Sequence, residues 1–358
     1  MPGTAQNDGV LPFDRSAVKT VGVFGKGADT VPVGDNYSGP YQGWRADDAY
    51  TPLGYLKEFL GGVKIITGTD EQIPRLAPGC DICLYFTKML EGEGRDRCNI
   101  RLSAEKRTFE AENTGGMIVD QAKAEQGTDQ ESAIVAMAKA NGNCAVILLN
   151  GAPVDMTPWI DSVPAVLEAW YPGEQGAQAI CEALFGLIDP CGKTPMSFPK
   201  SVGQLPLYYS FKPSGRGYHY NENDGKPLFE FGFGLSYTQF RIDNASVSAQ
   251  ENELTVEYDI ENTGKYEGAQ VVQIYLQSRN CGVVRPVSEL KAYRKTRLDP
   301  GEKKRVAIKL GAEAFSYYDE ALDYGMFDGD HTVMLGVSCS KILQTFEVSI
   351  RDGRLYVG

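Results

Sequence analysis

The run EGEGRDR at 91–97 sets three carboxylates and two guanidinium groups among two glycines, and it is the first place where proton chemistry could reside. The glycines on either side of Glu93 free the backbone to swing its carboxylate outward. Asp96 and Arg97 are suited to pair with each other or with nearby backbone and so hold the loop in shape. Two readings stand: Glu93 or Glu91 acts as a general acid/base, or the run is a charged, solvated loop, the commoner fate of such a composition. A second stretch, with Asp29, Asp35, Asn36, Tyr37, Trp44 and Arg45, mixes aromatic faces and polar groups of the kind that stack on and hydrogen-bond sugars. Its bland alternative is a surface loop without a ligand. FGKGAD at 24–29 could hold phosphate at a helix N-terminus, but the dinucleotide pattern needs a third glycine where Thr30 stands, and Pro32 and Pro40 interrupt an immediate helix.

Other chemistries have little material. The chain has two histidines, His219 and His331, and no serine in a GxSxG elbow, so a Ser/His/Asp arrangement is not expected. His219, among Tyr218, Tyr220 and Asn221, is expected to pack or to make an exposed hydrogen bond, and His331 opens a strand with no role assigned. The eight cysteines lie at 80, 83, 98, 144, 181, 191, 281 and 339, several inside apolar runs such as NCAVILLN, where a free thiol acts as a small hydrophobe. Cys80 and Cys83 form a CxxC with no second pair at zinc spacing, so no metal is expected. A net charge of −12, from 35 basic and 47 acidic residues, opposes binding to nucleic acid, which depends on clustered Lys and Arg. No apolar stretch of about 18 residues is present to span a bilayer, and MPGTAQNDG lacks the layout of a secretory signal. The expectation is a soluble, cytoplasmic protein without a membrane or nucleic-acid partner.

The elements that must position the charged run can be read from periodicity. A chain of 358 residues accommodates two domains. From Ala17 to Phe185, apolar runs at 18–25, 63–66, 81–86, 144–150 and 164–171 read as strands, and 51–60, 129–141 and 174–186 as helices. Such alternation predicts an α/β sandwich, a mostly parallel sheet with helices on both faces. EGEGRDR begins five residues after DICLYF, and in an open α/β sheet ligands gather outside the carboxyl ends of the strands. Past Gly192 the chain becomes rich in Pro, Tyr, Gly and Ser, an irregular connection. From about Phe240, period-two runs with Asn-Thr-Gly, Asp-Pro-Gly and Asp-Gly-Asp turns predict an antiparallel β-sandwich. The expected division is an α/β domain over 1–200, a linker over 201–239 and a sandwich over 240–358.

The stretch AVILLNGAPVDMTPWIDSVPAVLEAWYPGEQGAQAICEALFGLIDPCGKTPMSFPKS, then LPLYYSFKPSGRGYHY and PLFEFGFGLSYTQF, resembles the C-terminal half of glycoside hydrolase family 3, the β-glucosidases and β-xylosidases. ENTGKYEGAQVVQIYLQS, RPVSELKAYRKTRLDPGEKKRVAIKL and FSYYDE are similar to that family's fibronectin type III-like module. The resemblance implies a β-linked gluco- or xylo-saccharide as substrate and no cofactor. It implies a catalytic acid on the loop after the third strand, with Glu93 as general acid/base and Glu91 as the other candidate. A retaining glycosidase also needs a second carboxylate as nucleophile, which this family takes from an N-terminal (β/α)8 barrel. NDGVLPFDRSAVKTVGVFG resembles the start of the second domain, so no (β/α)8 barrel is expected here. Asp35, Asp47, Asp48, Asp155 and Asp161 are the acids in plausible loops, and none carries the nucleophile motif.

The expectation is therefore a subunit or fragment of a β-glycosidase, inactive or nearly so alone. A barrel subunit or self-association would cover the apolar face left open. The rival is a non-catalytic carbohydrate-binding or scaffolding protein on the same fold. One departure from the family is the insertion CNIRLSAEKRTFEAENTGGMIVDQAKAEQGT at 98–128, read as a lid, a partner contact or a tolerated excursion.

Overall fold

The computed structural model describes residues 3–30, 51–89, 99–102, 106–114, 117–125, 129–213 and 224–358. The chain forms two compact units, Met1–Gly192 with Phe198–Leu205, and Lys193–Ser197 with Pro206–Gly358.

The first unit is built on a six-stranded sheet. Its strands are β1 (Gly3–Asn7), β2 (Thr20–Phe24), β3 (Lys64–Thr67), β4 (Ile82–Phe86), β7 (Cys144–Leu148) and β8 (Ala165–Glu168), in the spatial order β1-β8-β7-β4-β2-β3. Adjacent strands from β8 to β3 are parallel, and β1 closes the edge antiparallel to β8. Every residue of β4, β7 and β8 is buried. Both faces are covered by helices, so these strands read as continuous apolar runs rather than alternating ones.

Helix α1 (Pro52–Phe59) starts where Thr51 Oγ1 accepts from Gly54 N at 3.0 Å, with proline at the first helical position. Short α2 (Ile73–Leu76) packs against α3 (Gln130–Ala140), while α1 packs against α4 (Gly176–Leu184). A chain of phenyl rings, Phe13, Phe185 and Phe59, with centroids 5.5–6.0 Å apart, links the C-terminal ends of α1 and α4. Within the inserted segment β5 (Lys106–Thr114) and β6 (Met117–Glu125) form an antiparallel hairpin, in register from Lys106↔Glu125 to Thr114↔Met117.

The second unit is an antiparallel β-sandwich. One sheet holds β9 (Phe240–Gln250), β10 (Glu253–Asn262) and β13 (Lys303–Leu310). The other holds β11 (Gly268–Arg279), β12 (Glu289–Leu298), β16 (Gly329–Gly336), β17 (Ile342–Arg351) and β18 (Arg354–Val357), and β14 (Tyr317–Tyr318) pairs with β15 (Tyr324–Gly325). Strand β10 alternates strictly, and its Leu254, Val256, Tyr258 and Ile260 enter a core with Val272, Ile274, Val333, Leu335, Val348 and Ile350. Preceding this sandwich, Gly232 (φ +81°) lies so close to Gln273 that a Cβ would overlap Oε1, and Gln273 Nε2 donates to Gly232 O at 3.0 Å and to Val337 O at 2.8 Å. Glycine in the FEFGFG stretch thus serves a close approach of backbone to a buried amide.

The seven described cysteines are free thiols, and burial pushes Cys144 up to about 12 and Cys83 higher still. The CxxC thiols face Leu76 O and Ala77 O at the end of the helical turn before β4. No helix among the described residues is long and apolar enough to cross a membrane.

Candidate active site

The parallel strands place a topological switch point between β2 and β4. The chain leaves β2 to form β3 on one side, then returns to form β4 on the other, and in open α/β sheets the carboxyl edge at such a point is where ligands bind. These are the connections that carry the two charged and aromatic stretches singled out from sequence. Glu91, Glu93, Asp35, Tyr37, Trp44 and Arg45 lie outside the described residues, as does His219. What the structure defines is how the segments 31–50 and 90–98 leave the sheet.

The two exits are locked together. Gly25 (φ +83°) and Gly27 pass so near the other strand that a Cβ on either would overlap the carbonyl oxygen of Phe86 or Thr87. Gly27 N donates to Phe86 O at 3.1 Å, Ala28 N to Gly25 O at 3.1 Å and Thr30 N to Gly27 O at 3.2 Å. With those amides engaged, the glycines of FGKGAD account for a backbone crossing, and these donors are not directed at a phosphate. Lys88 Nζ reaches across to Thr30 Oγ1 at 3.2 Å, joining the last described residue before one segment to the exit toward the other.

The ends of segment 90–98 are held by the first turn of α3. Asp129 caps that helix by accepting from Ser132 N at 3.1 Å. Because side chains on a helix lean toward its N-terminus, Gln130 and Glu131 project back past the cap. Gln130, 4% exposed, accepts from Lys88 N at 2.9 Å and donates to Lys88 O and Leu102 O, each at 3.0 Å. Glu131, also buried, accepts from Arg101 Nε at 2.8 and 3.0 Å, from Arg101 Nη2, and from Leu102 N at 3.1 Å. The carboxylate raises the Arg101 guanidinium above its ordinary pKa. Asp155 N donates to Ile100 O at 2.7 Å and completes the return. The Asp155 carboxylate itself is turned to Thr157 N, 3.0 Å away.

Two further acids stand at the carboxyl edge. Burial raises the Asp70 carboxyl above its usual range against the lowering effect of the Tyr85 hydroxyl, which donates to both oxygens at 3.2 Å. Glu168, buried at the end of β8, accepts from Trp170 N at 2.9 Å and lies 3.4 Å from Asn150 Nδ2. That bond holds Trp170 in the left-handed region (φ +55°), where its ring meets Phe198 at 5.7 Å.

Sequence reading missed Gln130, Glu131, Arg101 and Asp70. The signal for the first two was the helix cap: long polar side chains at the first two helical positions can reach whatever backbone lies beyond the start.

A family model described as the glycosyl hydrolase family 3 C-terminal domain matches residues 6–237, and one for a fibronectin type III-like domain matches 270–339. A β-xylosidase from Formosa agariphila is 32% identical over 96% of this chain and 48% of its own length. A thermostable β-glucosidase B from Acetivibrio thermocellus is 30% identical over 96% of this chain and 46% of that enzyme. A periplasmic β-glucosidase from Salmonella typhimurium is 36% identical over 61% of this chain and 31% of its own. Among solved structures, a mutant β-glucosidase from Listeria innocua in complex with laminaribiose superposes with a TM-score of 0.80 at 25% identity, over 98% of this chain and 48% of that one. A β-glucosidase from Erythrobacter marinus gives 0.80 at 27%, over 98% and 49%. The chain spans about half the length, or less, of these relatives.

Proposed function

The chain belongs to glycoside hydrolase family 3, whose C-terminal α/β domain and fibronectin type III-like domain it carries, and from that premise we propose that it supplies the proton-transfer half of a retaining β-glycosidase. Glu93 is the general acid/base, with Glu91 the other candidate. The nucleophilic carboxylate comes from a (β/α)8 barrel, on a separate subunit or elsewhere on a longer polypeptide. The substrate is a β-linked glucoside or xyloside, and Asp35, Tyr37, Trp44 and Arg45 contribute to its binding.

The observation that carries this reading is that parallel neighbours β2 and β4 end side by side, with Gly27 N bonded to Phe86 O and Lys88 Nζ to Thr30 Oγ1, at the edge where an open α/β sheet binds ligands. In the double displacement, the barrel carboxylate attacks the anomeric carbon as Glu93 protonates the departing oxygen. Glu93 then takes a proton from the water that releases the sugar. To be protonated at the start, Glu93 needs its pKa raised by a dry or acidic surrounding, which a docked barrel would create.

The test is a comparison of Glu93→Gln and Glu91→Gln in the barrel-completed protein. The substrates are a dinitrophenyl β-glucoside, whose leaving group departs unprotonated, and laminaribiose, whose leaving group requires a proton. Loss of general acid catalysis should cost about 10²- to 10⁴-fold on the disaccharide and little in the first step with the activated glycoside, with azide restoring turnover of the latter. If neither variant separates the two substrates, the assignment is wrong. The same assay with aryl β-xylosides reads out sugar preference.

A further inference from the structure

We infer that Gln130 and Glu131 are positioning residues for the general acid/base: together they clasp both ends of the segment that carries it. This rests on the reading of Glu93 or Glu91 as the acid/base.

Lys88 and Leu102 flank the segment in sequence, and in space one helical turn holds both. Gln130 pairs with Lys88 as a neighbouring strand would, accepting from its N–H and donating to its carbonyl, and the same amide nitrogen donates to Leu102 O. Glu131 takes the N–H of that same Leu102 and the guanidinium of Arg101. Leu102 is thereby bound at both its backbone groups by adjacent side chains. The helix start favours the carboxylate, since its unpaired N–H groups and dipole stabilise negative charge there.

The clasp stands on regular structure: Asp129 caps the helix, and β4 delivers Lys88 from a fully buried strand. Placing such supports on rigid elements is what holds a reacting group to the sub-ångström tolerance that catalysis requires. A general acid whose loop ends drift misplaces its proton, and the first step is then slowed only for leaving groups that need the proton.

The experiment uses the full chain, alone and completed with a family barrel, with Gln130→Ala and Glu131→Gln as variants. The second keeps the side-chain volume and the fold should Gln130→Ala fail to fold. In the chain alone, the Lys88 amide is the reporter for Gln130 and the Leu102 amide for Glu131. Each should exchange at least about tenfold faster in its own variant, with the β7 amides of Val146 and Ile147 unchanged. In the completed protein, kcat/KM on laminaribiose should fall by about 10²-fold, with a far smaller loss in kcat/KM on the dinitrophenyl glycoside, whose first step needs no proton.

Unchanged exchange at Lys88 and Leu102, or an equal loss in kcat/KM on both substrates, would overturn the inference. If Glu93→Gln and Glu91→Gln fail to separate the two substrates while the exchange effects appear, the acid/base reading is what falls. The clasp then stands as an anchor of the segment.

Discussion

Gln130 and Lys88 exchange two hydrogen bonds, Lys88 N to Gln130 Oε1 at 2.9 Å and Gln130 Nε2 to Lys88 O at 3.0 Å, so a side chain on α3 continues the ladder past the end of β4. Replacing it by an apolar residue strands these groups and Leu102 O away from water. At about 1 kcal/mol or more for each unmet group, Gln130→Leu should destabilise the α/β unit by about 2–3 kcal/mol. Urea unfolding followed by tryptophan fluorescence measures this, since all three tryptophans, Trp44, Trp159 and Trp170, precede the sandwich.

The glycine pair after β2 gives a steric prediction. A Cβ at Gly27 would overlap Thr87 O, a backbone atom that cannot rotate away, whereas one at Gly142 meets nothing within 4 Å. Gly27→Ala should cost about 3 kcal/mol or prevent the unit from folding, while Gly142→Ala stays within about 0.5 kcal/mol of the parent. Parallel urea titrations decide it; a tolerated Gly27→Ala would contradict the close crossing of the two strand exits.

In the second unit, His331 is fully buried, with Nδ1 3.0 Å from Ser278 Oγ and Nε2 without a hydrogen-bond partner among the described residues. Burial lowers its pKa from 6.5 to about 4, against the raising effect of Asp330. The unfolded chain therefore takes up a proton near pH 6.5 that the folded chain refuses until about pH 4. The stabilisation is complete above the unfolded value and is lost as pH falls through this window, at most about 3 kcal/mol. Circular dichroism of urea unfolding should show this loss for the sandwich, and His331→Leu should flatten it between those limits.

Gln273 is the internal peg of the sandwich. Its amide donates to Gly232 O and Val337 O, and its Oε1 accepts from the Tyr275 hydroxyl. Gln273→Leu leaves those three polar groups unmet and should lower the stability of the second unit by about 3 kcal/mol, read from the circular-dichroism transition with the tryptophan transition unmoved.

The strands most legible in the sequence were those buried on both faces. ICLYF and CAVIL are unbroken apolar runs, and covered parallel strands have no solvent face to interrupt them. Strand β1, GTAQN, escaped because a polar edge strand is specified by its partner β8 rather than by its own pattern. The β5–β6 pair was not read from sequence, which marked 98–128 only as an insertion: a lid, a partner contact or a tolerated excursion.

At the site, sequence set EGEGRDR on the connection that follows DICLYF, the strand observed as β4. It did not reveal that connection's supports. Gln130 acts on backbone atoms 42 and 28 residues away, and a backbone carbonyl has no sequence identity to read. FGKG carried the opposite ambiguity, since glycines that would admit a phosphate are the same glycines that admit a neighbouring strand.

The most direct measurement is the rate of aryl β-glucoside and β-xyloside hydrolysis by the homogeneous chain, by a family 3 barrel and by their mixture. The account predicts negligible turnover by the chain alone and a gain in the mixture that Glu93→Gln abolishes for substrates with poor leaving groups. Brisk turnover by the chain without a barrel, or a mixture no faster than the barrel by itself, would contradict it.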